Sequence, residues 1–218
     1  MPKIKILKSF FFLTFLTFVT SLPVFAADNG STKGKGQIGI TFSSFGSNDL
    51  LSFRKTVGGP GYRGNGFFTL GLSYLYPLNK TFDFETGLEY SEHKFLIEPN
   101  LPLIYGGIST HDRFSLISIP ATIRLNFMKY FFLKGGLFLG FGGGNSTSVE
   151  NQNGIGLNLG LGIKYNLNSK LSIFVNPYAK VHSIIPFTSV GGEGRLVESG
   201  FKIGILVRLN CPVKAVNR

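Results

Sequence analysis

Glu89, Ser91 and His93 stand two residues apart along one stretch of chain, the residue types from which a hydrolytic centre can be built. In an extended strand this spacing sets all three on one face, where Glu89 would orient His93 and His93 would take a proton from Ser91. His182 and Ser183 repeat two of the residue types side by side. The chemistry within their reach is nucleophilic attack by the serine with the histidine as its base, as in the modification of lipid A. The same spacing arises along any polar face of a strand, so no catalytic residues and no enzymatic activity are expected. His111 adjoins Asp112 and is expected in a solvated loop. Cys211 is the single cysteine, which rules out an internal disulfide. No cluster of Cys and His has metal-ligand spacing, so neither a metal nor a cofactor is expected.

The carboxylates carry a second possibility. Asp83, Glu85 and Glu89 share one parity, and so would meet Arg124, Lys134 and, further round, Lys164, Lys180, Lys202 and Arg208 if the strands enclosed a narrow lumen. Buried charges must be paired. An ion-pair network of Asp83, Glu85, Glu89, Arg124 and Lys134 that closes the lumen is therefore expected in preference to an open polar conduit.

The elements that must position these residues are strands. Between Ile155 and Tyr165 the residues Ile155, Leu157, Leu159, Leu161, Ile163 and Tyr165 alternate with Gly156, Asn158, Gly160, Gly162 and Lys164. That is a period of two without a break. The same alternation predicts eight strands, over residues 36–45, 66–76, 81–95, 113–127, 130–142, 154–165, 171–183 and 200–209. The joints between them alternate long and short. Short ones cover 77–80, 127–129 and 166–170, and long ones cover 46–65, 96–112, 143–153 and 184–199. Apolar faces five or six positions long suit a tilted strand of about 9 to 11 residues that crosses a bilayer. The fold expected is an all-β, eight-stranded, antiparallel up-and-down transmembrane β-barrel from about 36 to 209, with both ends on the periplasmic side. Tyr76, Phe82, Phe127, Tyr130, Phe131, Tyr165 and Phe174 would form a lower aromatic girdle, and Phe42, Phe68, Tyr90, Phe114 and Phe141 an upper one.

Lys3, Lys5 and Lys8 followed by apolar residues from Phe10 to Val19 and by Val24-Phe25-Ala26 form a secretory signal. Residues 1–26 are expected to be cleaved, 27–35 to be a flexible leader and 210–218 a periplasmic tail. The 22 basic and 11 acidic residues give a net charge of +11, which falls to +8 without the three signal lysines. The remaining basic residues are scattered singly, so nucleic acid is not an expected partner. Two Gly-rich stretches, Gly58 to Gly66 and Gly140 to Gly144, lack the Lys-Ser/Thr of a phosphate loop and are expected to be flexible external loops.

The segment Leu116-Ile117-Ser118-Ile119-Pro120-Ala121-Thr122-Ile123-Arg124-Leu125-Asn126-Phe127 resembles the central strand of the small porin-family, PorT-like outer-membrane β-barrel proteins. Thr86-Gly87-Leu88-Glu89-Tyr90, Phe132-Leu133-Lys134-Gly135-Gly136 and Gly204-Ile205-Leu206-Val207-Arg208-Leu209 are similar to other strands of that family. The resemblance implies a barrel in the bacterial outer membrane, with outer-membrane lipid and envelope or secretion proteins as partners. It also implies a place in a protein-secretion apparatus as the alternative to a structural or ligand-binding role. Among the long loops, Arg54, Lys55, Tyr62 and Arg63 make the first basic and aromatic, and Leu101, Pro102, Leu103, Ile104 and Tyr105 make the second apolar. Arg54, Tyr62, Arg63, Leu103, Ile104 and Tyr105 are the candidate binding residues, since exposed apolar and aromatic loop residues mark recognition surfaces.

Overall fold

The computed structural model describes residues 36–52, 61–98, 109–143, 152–187 and 194–209. The signal, leader and tail, Cys211, and the loop residues Arg54, Lys55, Leu101, Pro102, Leu103, Ile104 and Tyr105 lie outside the described residues. Eight strands run in chain order: β1 (Gln37–Ser52), β2 (Gly61–Pro77), β3 (Phe82–Glu98), β4 (Thr110–Phe127), β5 (Phe131–Gly143), β6 (Gly154–Asn166), β7 (Leu171–Pro186) and β8 (Gly194–Arg208). Each pairs antiparallel with the next, and β1 pairs with β8, so one sheet closes into a barrel without free edges. Gln37 faces Arg208 across the closing seam, which brings the first and last strand ends to the same rim.

Local sequence explains the tight rim. In Leu78-Asn79-Lys80-Thr81-Phe82 the Asn79 Oδ1 accepts hydrogen bonds from the amides of Thr81 (2.8 Å) and Phe82 (2.7 Å). Asn168 does the same for Lys170 and Leu171, both at 2.8 Å. An Asn side chain that satisfies two amides in this way substitutes for backbone pairing and reverses the chain within a few residues.

At the other rim the strands run further than the alternation of apolar residues. β1 continues to Ser52, β2 starts at Gly61, β4 at Thr110, β7 ends at Pro186 and β8 starts at Gly194. Tyr62 and Arg63, expected in a loop, are strand residues paired with Ile97 and Leu96. His111 is likewise in β4, opposite Leu96, and exposed. Gly61 to Gly66 and Gly140 to Gly143 belong to β2 and β5, which corrects their assignment to loops. The reason is physical: ladder hydrogen bonds persist where the outer face no longer needs to be apolar, as at the exposed Ser47, Asp49, Lys94 and Arg113.

The outer wall is apolar. On β6, Leu159, Leu161, Ile163 and Tyr165 point outward and are 49 to 54% exposed. The eleven residues from Ile155 to Tyr165, at about 3.3 Å each and tilted by about 40°, span roughly 25 Å, the height of the apolar band of a membrane barrel. Aromatic pairs ring both ends of the wall. Tyr130 stacks on Tyr165 and Phe127 on Phe131 near the tight turns, while Phe68 meets Tyr90 and Phe141 meets Phe187 near the long connections. Two expected girdle members are not on the wall: Phe114 and Phe174 face the lumen, 7% and 3% exposed.

Candidate functional site

Room for the lumen side chains comes from glycine. Phe132 pairs with Gly162, Phe138 with Gly156 and Phe174 with Gly204. A Cβ at any of these glycines would collide with the ring of its partner. Each large ring thus lies across a glycine, which makes room for it in the narrow interior.

Filled this way, the lumen is stratified. Nearest the tight turns, Leu75, Phe132, Phe174 and Leu206 form an apolar layer. Toward the long connections, Phe95, Phe114, Leu116 and Leu196 form another, with Leu50 packed against it. Between them lie most of the buried charges. The buried ionic side chains among the described residues are Asp83, Glu85, Glu89 and Glu198 against Arg124, Lys134, Lys180 and Lys202, so the two signs balance.

The structure brings together three of the five network residues proposed from sequence. Arg124 Nη2 donates to Glu85 Oε2 at 2.6 Å, and Lys134 Nζ donates to Glu85 Oε1 at 3.0 Å. The Arg124 guanidinium also lies 4.2 Å from the Phe132 ring centroid and 5.3 Å from that of Phe174, which anchors it on the lower apolar layer. Asp83 stands apart and accepts from Asn126 Nδ2 at 2.8 Å. Glu89 is held by Lys180 and Lys202, one on each carboxylate oxygen. Its partners come from β7 and β8, on the far side of the closing seam.

Above this layer the two lumen histidines meet. His93 Nε2 lies 3.1 Å from Ser91 Oγ and 3.4 Å from Glu198 Oε2, and His182 Nε2 lies 3.5 Å from the same Glu198 oxygen. Tyr178 donates its hydroxyl proton to Glu198 Oε1 and lies 2.9 Å from Ser43 Oγ. Glu198 falls in the long joint expected over 184–199 and is instead a residue of β8. Counting back from Lys202 in steps of two reaches it through Gly200, and that period was the available signal. The relay considered for Glu89, Ser91 and His93 is not formed. Glu89 is engaged by lysines, and both Ser91 and Glu198 face the same ring nitrogen, Nε2, while His93 Nδ1 has no hydrogen-bond partner. A carboxylate that steers an imidazole toward a serine must hold the other nitrogen.

His182 and Ser183 are both buried because β7 bulges there. Ile155 pairs with Ile185 but Leu157 with Val181, so two extra residues sit in β7, and Ser183 takes a φ of 48°. Of the binding candidates that are described, Arg63 is exposed and Tyr62 half-buried, both on β2 at the rim of the long connections.

No family model matches this chain, and no curated protein matches it. Solved structures do. The outer membrane protein AlkL in lipid bilayers is 11% identical, with a TM-score of 0.52 over 87% of this chain and 96% of AlkL. OprG from Pseudomonas aeruginosa is 18% identical, with a TM-score of 0.46 over 82% of this chain and 97% of that one. Ail, the attachment invasion locus protein of Yersinia pestis, is 15% identical, with a TM-score of 0.42 over 82% of this chain and all of Ail. The likeness to AlkL is one of fold. Together with the closed sheet and the apolar wall, it makes the fold an eight-stranded, antiparallel transmembrane β-barrel.

Proposed function

We propose that this chain is a non-conducting outer-membrane barrel that acts through its surfaces, as a structural or partner-binding protein, and not through its lumen. The observation that carries the proposal is the stratified interior: two apolar layers enclose an ion-paired core in which Arg124, Lys134, Lys180 and Lys202 are each no more than 2% exposed. A solute crossing that stack would have to break buried ion pairs, which costs several kcal/mol per pair removed. The Ser91 and His93 pair sits inside the same stack, away from lipid and bulk water, which supports a non-catalytic role. What remains accessible is the outer wall and the rim of the long connections, where loops carry recognition in barrel proteins.

Refolded protein in planar bilayers should show no steady conductance, and recordings with sustained single-channel steps would reject the proposal. Photo-crosslinkers at the exposed rim positions Arg63 and Thr110 in intact cells should recover a discrete partner, lost when residues 101–105 are removed. Recovery of secretion proteins, with export lost on gene deletion, would favour the secretion-apparatus alternative.

A further inference from the structure

We propose that His93, His182 and Glu198 form a site for one divalent transition-metal ion of the zinc and copper class, clamped between β3, β7 and β8 inside the lumen. Two imidazoles and one carboxylate are a donor set such ions prefer, whereas calcium and magnesium need more oxygen ligands than are available here. Their ligand atoms all lie within 4.8 Å of one another, and all three residues are buried. A tetrahedral ion with bonds of about 2.0 to 2.1 Å holds its donors roughly 3.3 to 3.4 Å apart. Glu198 Oε2 stands 3.4 Å from His93 Nε2 and 3.5 Å from His182 Nε2, so two edges of that polyhedron are already set. Only the edge between the imidazoles has to shorten.

The polar atoms at this spot are also short of partners. Glu198 Oε2, both ring nitrogens of His182 and Nδ1 of His93 are buried without a hydrogen bond. Burying such atoms unmet is costly, and an ion that accepts lone pairs from Glu198 Oε2 and His182 Nε2 removes the part of that cost the two carry. The surroundings favour rigid ligation. Tyr178 occupies Glu198 Oε1 and so leaves Oε2 directed at the histidines. His93 is stacked between Phe67 and Phe114, with centroids at 5.7 and 5.5 Å, and His182 meets Phe138 edge-on at 4.9 Å. The eight buried charges, Glu198 among them, balance without any contribution from the imidazoles, which leaves both free to act as neutral ligands. An ion here would tie three strands together across the lumen.

The test uses the untagged full chain in detergent, stripped with chelator and loaded with Zn²⁺ either during refolding or afterwards, then desalted and assayed for metal. About one zinc per folded chain should be retained, and Mg²⁺ and Ca²⁺ should not compete. Loss of even an outer-shell partner lowers metal affinity about 10- to 100-fold, so His182→Phe and Glu198→Gln should each reduce retained zinc to roughly a tenth of an equivalent or less. His111→Ala, at an exposed position outside the lumen, should retain it in full. Folding of each variant is checked by heat-modifiable gel migration. If either lumen variant fails to fold, X-ray absorption at the zinc edge of the wild type decides, and it should show two imidazoles per ion. Wild-type protein that retains no zinc by either route, retention unchanged in folded His182→Phe, or a zinc spectrum without imidazole would each overturn the site.

Discussion

Glu85 is the hub of the lower ion cluster, and its removal should cost more than removal of either cation it holds. Arg124 Nη2 is 2.6 Å from one of its oxygens and Lys134 Nζ is 3.0 Å from the other, with all three side chains almost wholly buried. Breaking a buried pair by deleting one partner costs about 3 to 5 kcal/mol, because the survivor is left as an uncompensated charge. Arg124→Met and Lys134→Met each leave Glu85 one cation, so each should fall near the lower end, about 3 kcal/mol. Glu85→Gln strands two cations at once and should reach about 5 kcal/mol. The double variant Glu85→Gln with Arg124→Met leaves only Lys134 unmatched, and should lose clearly less than the sum of its singles, as expected for residues in one network. The chain has no Trp, so urea unfolding in micelles or vesicles should be followed by circular dichroism and by the mobility shift between folded and unfolded forms. The reasoning fails if Glu85→Gln is no costlier than Arg124→Met, or if every single variant stays within about 1 kcal/mol, the value expected of screened, hydrated pairs.

Two further perturbations probe the wall and the packing. Leu159→Arg, midway along the outward face of β6, should cost about 2 to 4 kcal/mol in lipid vesicles, whereas Tyr165→Arg near the tight turns should cost about 0 to 1 kcal/mol. Equal losses at the two depths would mean that this face does not meet lipid. Gly162→Leu should destabilise the barrel by about 1 to 3 kcal/mol through overpacking against the Phe132 ring, whose atoms are the nearest a Cβ there would meet. Adding Phe132→Leu should recover part of that loss, and a double variant no better than the single would show that the ring is not the obstacle.

The strands were legible because their signal is local. In β6 every second residue from Ile155 to Tyr165 is apolar, and the structure turns those residues outward. The tight turns at Asn79 and Asn168 were legible for the same reason, since each closes within four residues through one Asn side chain. Strand ends at the opposite rim were not. There the outer face leaves the apolar band, so its polarity no longer distinguishes a strand from a loop, and the pairing of Tyr62 with Ile97 has no trace in composition. Phe114 and Phe174 misled for a related reason. An aromatic residue near a barrel end can serve the girdle or the interior, and parity decides over residue type: Phe114 shares the parity of Arg124, and Phe174 that of Lys180.

Alternation along single strands set one oily and one polar face on each, because side chains of an extended chain must point to opposite faces in turn, and the length of the oily faces with the long-short order of the joints made the sheet a membrane barrel and not a soluble sandwich. Which lumen residues meet was decided only by closure of the sheet. The pairing of β1 with β8 and the stagger of the closed barrel set the height of each side chain, and the bulge at Ser183 adjusts the upper end of β7. Closure delivers Lys180 and Lys202 to Glu89, and it brings His93 on β3 to His182 and Glu198 on β7 and β8. Contacts across a lumen depend on the shear of the whole sheet, a property that no window of sequence contains.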